Sequence, residues 1–383
     1  MKKNIFVIML FVSCVAFAQQ QPIIEDFKPS SVNQPGKEYP QVNSEGRVRV
    51  QISAPEAHKV QLDISAVKYD LVKDDKGLWT GESAPQDEGF HYYQLWVDGA
   101  AVPDPGSLYF YGASRWGSGI EIPSEDQDFF ALKDVPHGTL REIHYFAKTS
   151  NSIRHAYIYT PPGYEKDNSK SYPVLYLQHG MGENETGWGN QGHTNLIMDN
   201  LIAEGKALPF IIVMENSSVK FERPREPKAG GPMGGFDFAG EFKNVLLNDL
   251  IPYVEANYRV IADPKHRAMA GLSMGGMQTR IITLANPEVF SQVGMFSGGS
   301  ISMEDITGAP KFKDNVKLLF ISYGSRELEN PRRGFGGDPK ENTDALKAAG
   351  MNTHFYVSPG TAHEWHSWRR SLYQFAQLVF KNN

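Results

Sequence analysis

The feature that most restricts the fold is a short apolar stretch, Arg267-Ala-Met-Ala270, running into Gly271-Leu-Ser273-Met-Gly275-Gly276 and then into a helical stretch that reaches toward Asn286-Pro287. A strand that turns through small residues directly into a helix sets the serine at the apex of a sharp bend, with its hydroxyl lifted clear of the sheet. Side chains at the flanking positions would collide with neighbouring backbone, so glycine brackets the serine. The helix N-terminus beneath it favours developing negative charge. Such a turn belongs to a mostly parallel sheet covered on both faces by helices, and from Gly138 onward the chain has the matching texture. Val174-Leu-Tyr-Leu-Gln178, Phe210-Ile-Ile-Val-Met214, Val293-Gly-Met-Phe296 and Val316-Lys-Leu-Leu-Phe-Ile-Ser322 are apolar runs suited to buried parallel strands. Residues 194–204 and 241–257 read as helices between them.

The first third reads differently. Arg47-Val-Arg-Val-Gln-Ile-Ser53, His58-Lys-Val-Gln-Leu-Asp-Ile64 and Phe90-His-Tyr-Tyr-Gln-Leu-Trp-Val97 are short alternating segments, with Asp74-Asp-Lys-Gly77 and Asp98-Gly99 as turn signals. That spacing predicts an antiparallel β-sandwich over residues 25–120, followed by an acidic, irregular linker over 117–136. A chain of 383 residues exceeds what one hydrophobic core usually serves. The expected organisation is therefore a smaller all-β domain ahead of an α/β catalytic domain over 137–383. No fixed-period repeat points to a solenoid.

A formal net charge of −6 makes nucleic acid and anionic lipid surfaces poor partners, since binding them draws on clustered Lys and Arg. The N-terminus, Met-Lys-Lys-Asn followed by an apolar run that closes at Ala16-Phe17-Ala18, reads as a signal peptide over residues 1–18, so the chain is expected to be exported, periplasmic or secreted. Cys14 is the single cysteine and lies inside that segment, which leaves the mature chain without a thiol or disulfide. Phe11-Val-Ser-Cys14 also admits lipoprotein cleavage, although the apolar stretch continues past the cysteine. Nothing else in the chain is long and apolar enough to span a bilayer.

A serine hydroxyl is a poor nucleophile until a base takes its proton and an acid holds that base. With Ser273 as nucleophile, His363 is the expected base, because it stands in a loop after the strand-like Thr353-His-Phe-Tyr-Val357 and before a C-terminal helix. His366 is its rival, but it falls inside that helix, where a solvated or capping role is expected. The acid should follow a strand between serine and histidine, and Val316 to Ser322 leads to Glu327, with Glu329 as competitor. For either glutamate the bland reading is a surface carboxylate paired with Arg326 or Arg332. The oxyanion hole needs two backbone N–H groups. Met274 supplies one and Met181, in Gln178-His-Gly-Met181-Gly182, the other, with His179 shaping that turn. The string His363-Glu-Trp-His366 misses the two-histidine helical zinc spacing by one residue, so neither metal nor cofactor is expected there.

Several spaced motifs together resemble the esterase D-like enzymes, in particular the first carbohydrate esterase family of feruloyl and acetylxylan esterases. They are Tyr159-Thr-Pro-Pro-Gly-Tyr164, Leu177-Gln-His-Gly-Met-Gly-Glu-Asn-Glu-Thr-Gly-Trp188, Asp249-Leu-Ile-Pro-Tyr-Val-Glu-Ala-Asn-Tyr258, the turn around Ser273, and His363 with Trp365 and Trp368. The resemblance, over residues 137–383, implies the α/β-hydrolase fold, cofactor-free ester hydrolysis through an acyl-enzyme, and catalytic roles for Ser273 and His363. Many members carry aspartate where this chain has Glu327. The N-terminal part is similar to the immunoglobulin-like early-set domains that precede many such esterases and resemble carbohydrate-binding modules. Tyr109-Phe-Tyr111 and Trp116 offer a sugar-stacking surface, although aromatics in a small sandwich more often pack its core.

The resulting expectation is an esterase acting on feruloyl or acetyl groups of xylan, with a polysaccharide or oligosaccharide ester as partner. Trp188, Trp365 and Phe236 are the substrate-contact candidates, each also compatible with core packing or, for Phe236, a solvated loop over 222–236. The alternatives are a periplasmic siderophore trilactone esterase, an acyl transferase similar to the mycolyltransferases, and a carbohydrate-binding protein with a disabled hydrolase domain.

Overall fold

The computed structural model describes residues 23–218, 237–329 and 337–381. The expected signal segment, Cys14, the whole 222–236 loop with Phe236, and Arg332 lie outside the described residues. The first third forms two antiparallel sheets. One has five strands in the order Lys28–Pro29, Gln41–Val42, Val48–Ser53, Leu78–Glu82, Val72–Lys73. The other runs Tyr109–Gly112, Arg115–Ile122, Gly89–Val97, Val60–Ile64, Val67–Asp70, with Ala100–Val102 paired to Gly89–Val97. Alternate residues of these strands turn inward, and Val48, Val50, Val60, Leu62, Trp79, Leu95 and Ile120 share one buried cluster between the sheets.

The chain then builds an eight-stranded sheet from β1 (Thr139–Ala147), β2 (Ser152–Thr160), β3 (Val174–Gln178), β4 (Ile211–Glu215), β5 (Arg267–Leu272), β6 (Gln292–Phe296), β7 (Leu318–Gly324) and β8 (Thr353–Ser358). Their spatial order is 1-2-4-3-5-6-7-8, antiparallel at the first two pairings and parallel thereafter. Strands β3 to β7 are buried along their whole length, which explains their continuous apolar runs. One face packs under α1 (Thr194–Ala203) and the C-terminal helix, the other under the residue 242–257 helices and α2 (Met274–Ala285). This is the α/β-hydrolase architecture, and it brings the carboxyl ends of β3, β5, β7 and β8 to one edge.

One expectation about the seam between the parts needs correction. Residues 117–122 are not linker: they complete the strand Arg115–Ile122, whose glycines at 117 and 119 made it look loop-like. The strand is held from a distance, because Glu121 receives both terminal nitrogens of Arg369 at 2.6 and 3.0 Å, and both residues are buried. Further contacts cross the seam. Arg326 pairs with Asp87, and Asp126 pairs with Arg370 at 2.7 Å.

Candidate active site

Ser273 sits between β5 and α2 with φ of 51°, in a region that non-glycine residues occupy only under constraint. The constraint is visible in its surroundings. The Ser273 N–H donates to the Phe296 carbonyl at 2.8 Å, and a Cβ on Gly271 would come within 2.5 Å of the Gly275 backbone. A Cβ on Gly275 would press on the carbonyls of Gln178 and His179, so the turn closes only with glycine at both places. The strain thus presents the hydroxyl to the rim of the sheet.

The loop after β8 carries His363. Its Nε2 lies 2.9 Å from Ser273 Oγ, the geometry for the hydroxyl to donate, and its Nδ1–H lies 2.7 Å from Glu327 Oε1. Glu327 is in a short helix, Ser325–Glu329, directly after β7, and its other oxygen accepts the Ser297 hydroxyl at 2.7 Å and the Gly324 N–H at 2.8 Å. The carboxylate is thereby fixed at both ends and mostly buried, while His363 is half exposed. Glu329, two residues on, is exposed and makes no such contact with His363. The bland reading that paired Glu327 with Arg326 does not hold, because Arg326 turns to Asp87.

Sequence reasoning missed one member of this assembly, Ser297, and named another, Trp368, only as part of a motif. Ser297 follows β6 with φ of 51°, and its hydroxyl oxygen also accepts the Trp368 indole N–H at 3.1 Å. Trp368 in turn packs edge-on to the His363 ring, with centroids 5.1 Å apart. No local motif marks Ser297. Its place becomes visible only once β6 and β7 are known to be neighbours.

The turn after β3 lies beside this group. The Glu183 N–H donates to the Gly180 carbonyl at 3.2 Å across Met181 and Gly182, leaving the Met181 side chain exposed. Gly182 has φ of 78°, as the third position of such a turn requires. Met274 is the first residue of α2, where backbone N–H groups lack helical acceptors. His179 is buried behind the turn. Its Nδ1–H donates to the Gly180 carbonyl at 2.8 Å, its Nε2 accepts the Ser217 N–H at 3.1 Å, and burial pushes its pKa down to about 4. It is therefore a neutral turn-shaping group at ordinary pH.

The tryptophans are placed in the core. Trp188 is 1% exposed with its N–H on the Gln178 carbonyl at 2.9 Å, and Trp365 is 2% exposed with its N–H on the Tyr92 hydroxyl at 3.2 Å. They pack edge-to-face at 5.4 Å, so neither walls a pocket as a substrate contact. His366 is likewise not solvated. It is buried on the C-terminal helix Trp365–Ala376 beside Phe129 and Phe130, with burial and Arg370 pushing its pKa down to about 4. The helical period of that stretch did not show that another part of the chain covers it.

That other part is the first third of the protein, which also reaches the turn after β3. The Ser114 N–H donates to the Gly182 carbonyl at 2.8 Å. The Tyr92 hydroxyl lies 2.9 Å from both oxygens of Glu183 and accepts from Gln191 at 2.6 Å. Glu183 is buried, and that burial pushes its pKa up to about 7 despite the Tyr92 and Trp365 donors.

Comparison with known proteins places these features. The Esterase family model matches residues 147–332. A protein of Xylanibacter ruminicola named endo-1,4-beta-xylanase/feruloyl esterase is 45% identical over 368 residues, covering 93% of this chain and 48% of that protein. The chain thus spans about half of that relative's length. A solved ferulic acid esterase is 27% identical with a TM-score of 0.50, covering 64% of this chain and 99% of that one. The enterobactin esterase of Shigella flexneri, at 15% identity, shares the fold with a TM-score of 0.62 and covers 88% of this chain and 93% of its own.

Proposed function

Because the chain belongs to the esterases of the carbohydrate-esterase-1 type, we propose that it hydrolyses feruloyl or acetyl esters on xylan through an acyl-enzyme on Ser273. The observation that carries this reading is the continuous relay from Ser273 Oγ through His363 to Glu327, at 2.9 and 2.7 Å. Ser273 Oγ attacks the ester carbonyl carbon while its proton passes to His363 Nε2. The oxyanion that forms is stabilised by the backbone N–H groups of Met181 and Met274. Collapse breaks the bond to the sugar oxygen, which leaves with the proton from His363. Water attacks the acyl-serine next, giving its proton to the same nitrogen, and the feruloyl or acetyl group departs as its acid with Ser273 restored. Glu327 holds the imidazole in the productive tautomer and stabilises its cation.

The antiparallel part over 25–120 fits the reading as an early-set, immunoglobulin-like domain, with Tyr109 and Trp116 exposed on one strand pair and available to stack on sugar. Residues 1–18 fit it as an export signal that delivers the enzyme to a polymeric substrate. Among the described residues no helix is long and apolar enough to cross a membrane.

The test is product release by purified wild type and Ser273→Ala from feruloylated arabinoxylan, acetylated xylan and a siderophore trilactone, resolved by chromatography. Ser273-dependent ferulate or acetate is the expected outcome. Hydrolysis confined to the trilactone, or none, overturns the proposal.

A further inference from the structure

The outer edge of the hydrolase sheet carries a group of side chains that the ester chemistry does not use. In the β1–β2 hairpin His144 stands directly opposite His155, with Glu142 two residues before His144 on the same face. The alternate residues Ile143 and Tyr145 point the other way, into the core, so the sheet's period of two is what aligns the three polar groups. The two imidazole rings are 4.1 Å apart between centroids, and His144 Nε2 lies 3.9 Å from Glu142 Oε1. One ligand atom from each of the three lies within 4.8 Å of the others.

A second, independent observation sits behind them. Glu185, in the segment that follows the Met181 turn, is buried with Oε1 3.8 Å from His155 Nδ1. Its Oε2 is buried without a hydrogen-bond partner among the described residues. A carboxylate oxygen removed from water and left without a donor is costly, and a nearby cation is the usual compensation. The spacings are too long for hydrogen bonds and too short for indifferent neighbours. They approach the roughly 3.3 Å that separates two ligand atoms around a tetrahedral ion with bonds of about 2.0–2.1 Å.

We propose that Glu142, His144 and His155 bind a borderline divalent transition-metal ion, Zn²⁺ foremost, with Glu185 as the buried carboxylate that orients the His155 ring. Two imidazoles and a carboxylate suit such an ion, whereas an all-oxygen set would suit Mg²⁺ or Ca²⁺. The fourth position is open to water. Because Glu185 follows Glu183 by two residues, an ion here fastens the edge hairpin to the segment behind the oxyanion turn. Its expected effect is on thermal stability. The site is independent of the hydrolytic reading and was not legible as a motif, since its ligands come from two paired strands and its orienting carboxylate from a loop rather than all from one helix.

The test uses untagged, chelator-stripped protein in isothermal titration calorimetry with ZnCl₂ and, separately, MgCl₂. The expected result is one Zn²⁺ per chain, no comparable Mg²⁺ uptake and a higher melting temperature with Zn²⁺. The His144→Ala/His155→Ala variant should lose at least roughly tenfold in affinity, and Glu185→Gln roughly 10–100-fold, as for other orienting carboxylates. Co²⁺ added to wild type should give the intense visible bands of a tetrahedral site, a readout that needs no variant. No stoichiometric uptake by wild type overturns the proposal. Undiminished uptake by the double-histidine variant also overturns it, by assigning the ion to other groups such as His363.

Discussion

Two chains of polar side chains run through this protein within a few residues of each other, and they are built on opposite terms. At the rim, Ser273, His363 and Glu327 are linked by short contacts with the histidine half exposed. At the seam with the antiparallel sheets, the linked groups Glu121–Arg369 and Tyr92–Glu183–Gln191 are buried, except that Tyr92 is only partly so. Both are anchored on the segment from His363 to Arg369. The contrast separates two uses of a charge. A half-exposed relay costs little to desolvate and can exchange protons with substrate and water, so it governs rate. A buried pair cannot exchange, and it stabilises only while complete, because loss of one partner strands the other away from water.

The rim should therefore respond in rate and the seam in stability. The largest effect is expected for Glu327→Ala, with turnover falling roughly 10⁴-fold while the urea midpoint moves little. Glu329→Ala should leave turnover within about twofold. If instead Glu329→Ala abolishes turnover and Glu327→Ala is near wild type, the relay is misassigned. Next in size is Arg369→Met, which leaves Glu121 buried and unpaired and should cost about 3–5 kcal/mol in urea unfolding. Adding Glu121→Leu to it should recover much of that loss. A double variant as unstable as the single would show that the seam depends on something other than the charge pair.

How much of this could be read beforehand follows the same division. The turn at Ser273 was legible because its constraints are local, namely glycines at fixed offsets between a strand and a helix. Strand β3 fell where expected, since a buried parallel strand writes itself as an apolar run, and the edge strand β8 fell within a residue of expectation although only its end residues are buried. Glu121 was read as linker because its partner lies 248 residues away. His366, Trp188 and Trp365 were misread for the same reason. Their helical or loop setting is local, but the cover that buries them arrives from elsewhere in the chain.

Glu183 offers a finer test, through pH. Its pKa in the folded protein is pushed up to about 7 by burial, against an ordinary value of 4.5. A raised carboxyl pKa means the folded state holds the proton more tightly. Its contribution to stability is fully present below about pH 4.5 and is lost as pH rises through about 7. The difference in unfolding free energy between wild type and Glu183→Gln should therefore fall across that window, by on the order of 3 kcal/mol at most. Histidines with lowered pKa, such as His179, slope the other way in both proteins and cancel in the difference. Parallel curves for the two proteins would mean that Glu183 is not held protonated by its burial.

The smallest expected effect is the one that joins the two regions. The Tyr92 hydroxyl lies in the antiparallel part, yet it contacts Glu183 and takes the N–H groups of Gln191 and Trp365. Tyr92→Phe keeps the ring and removes that hub. The lost hydrogen bonds should cost about 1–3 kcal/mol of stability. If the seam were only a support, turnover by the folded fraction would be unchanged. The turn that Glu183 closes carries Met181, however, whose N–H is the proposed oxyanion donor, and such a donor works in the transition state rather than in substrate binding. Loosening that donor without deleting it should lower kcat roughly tenfold, less than the 10²–10³ for outright loss, and leave KM nearly unchanged. Steady-state kinetics well below the melting temperature of the variant decide the matter. A fall in kcat alone makes Tyr92 a positioning residue and the first third of the chain a working part of the site, whereas unchanged kcat confines the seam to stability and keeps the two regions energetically separate.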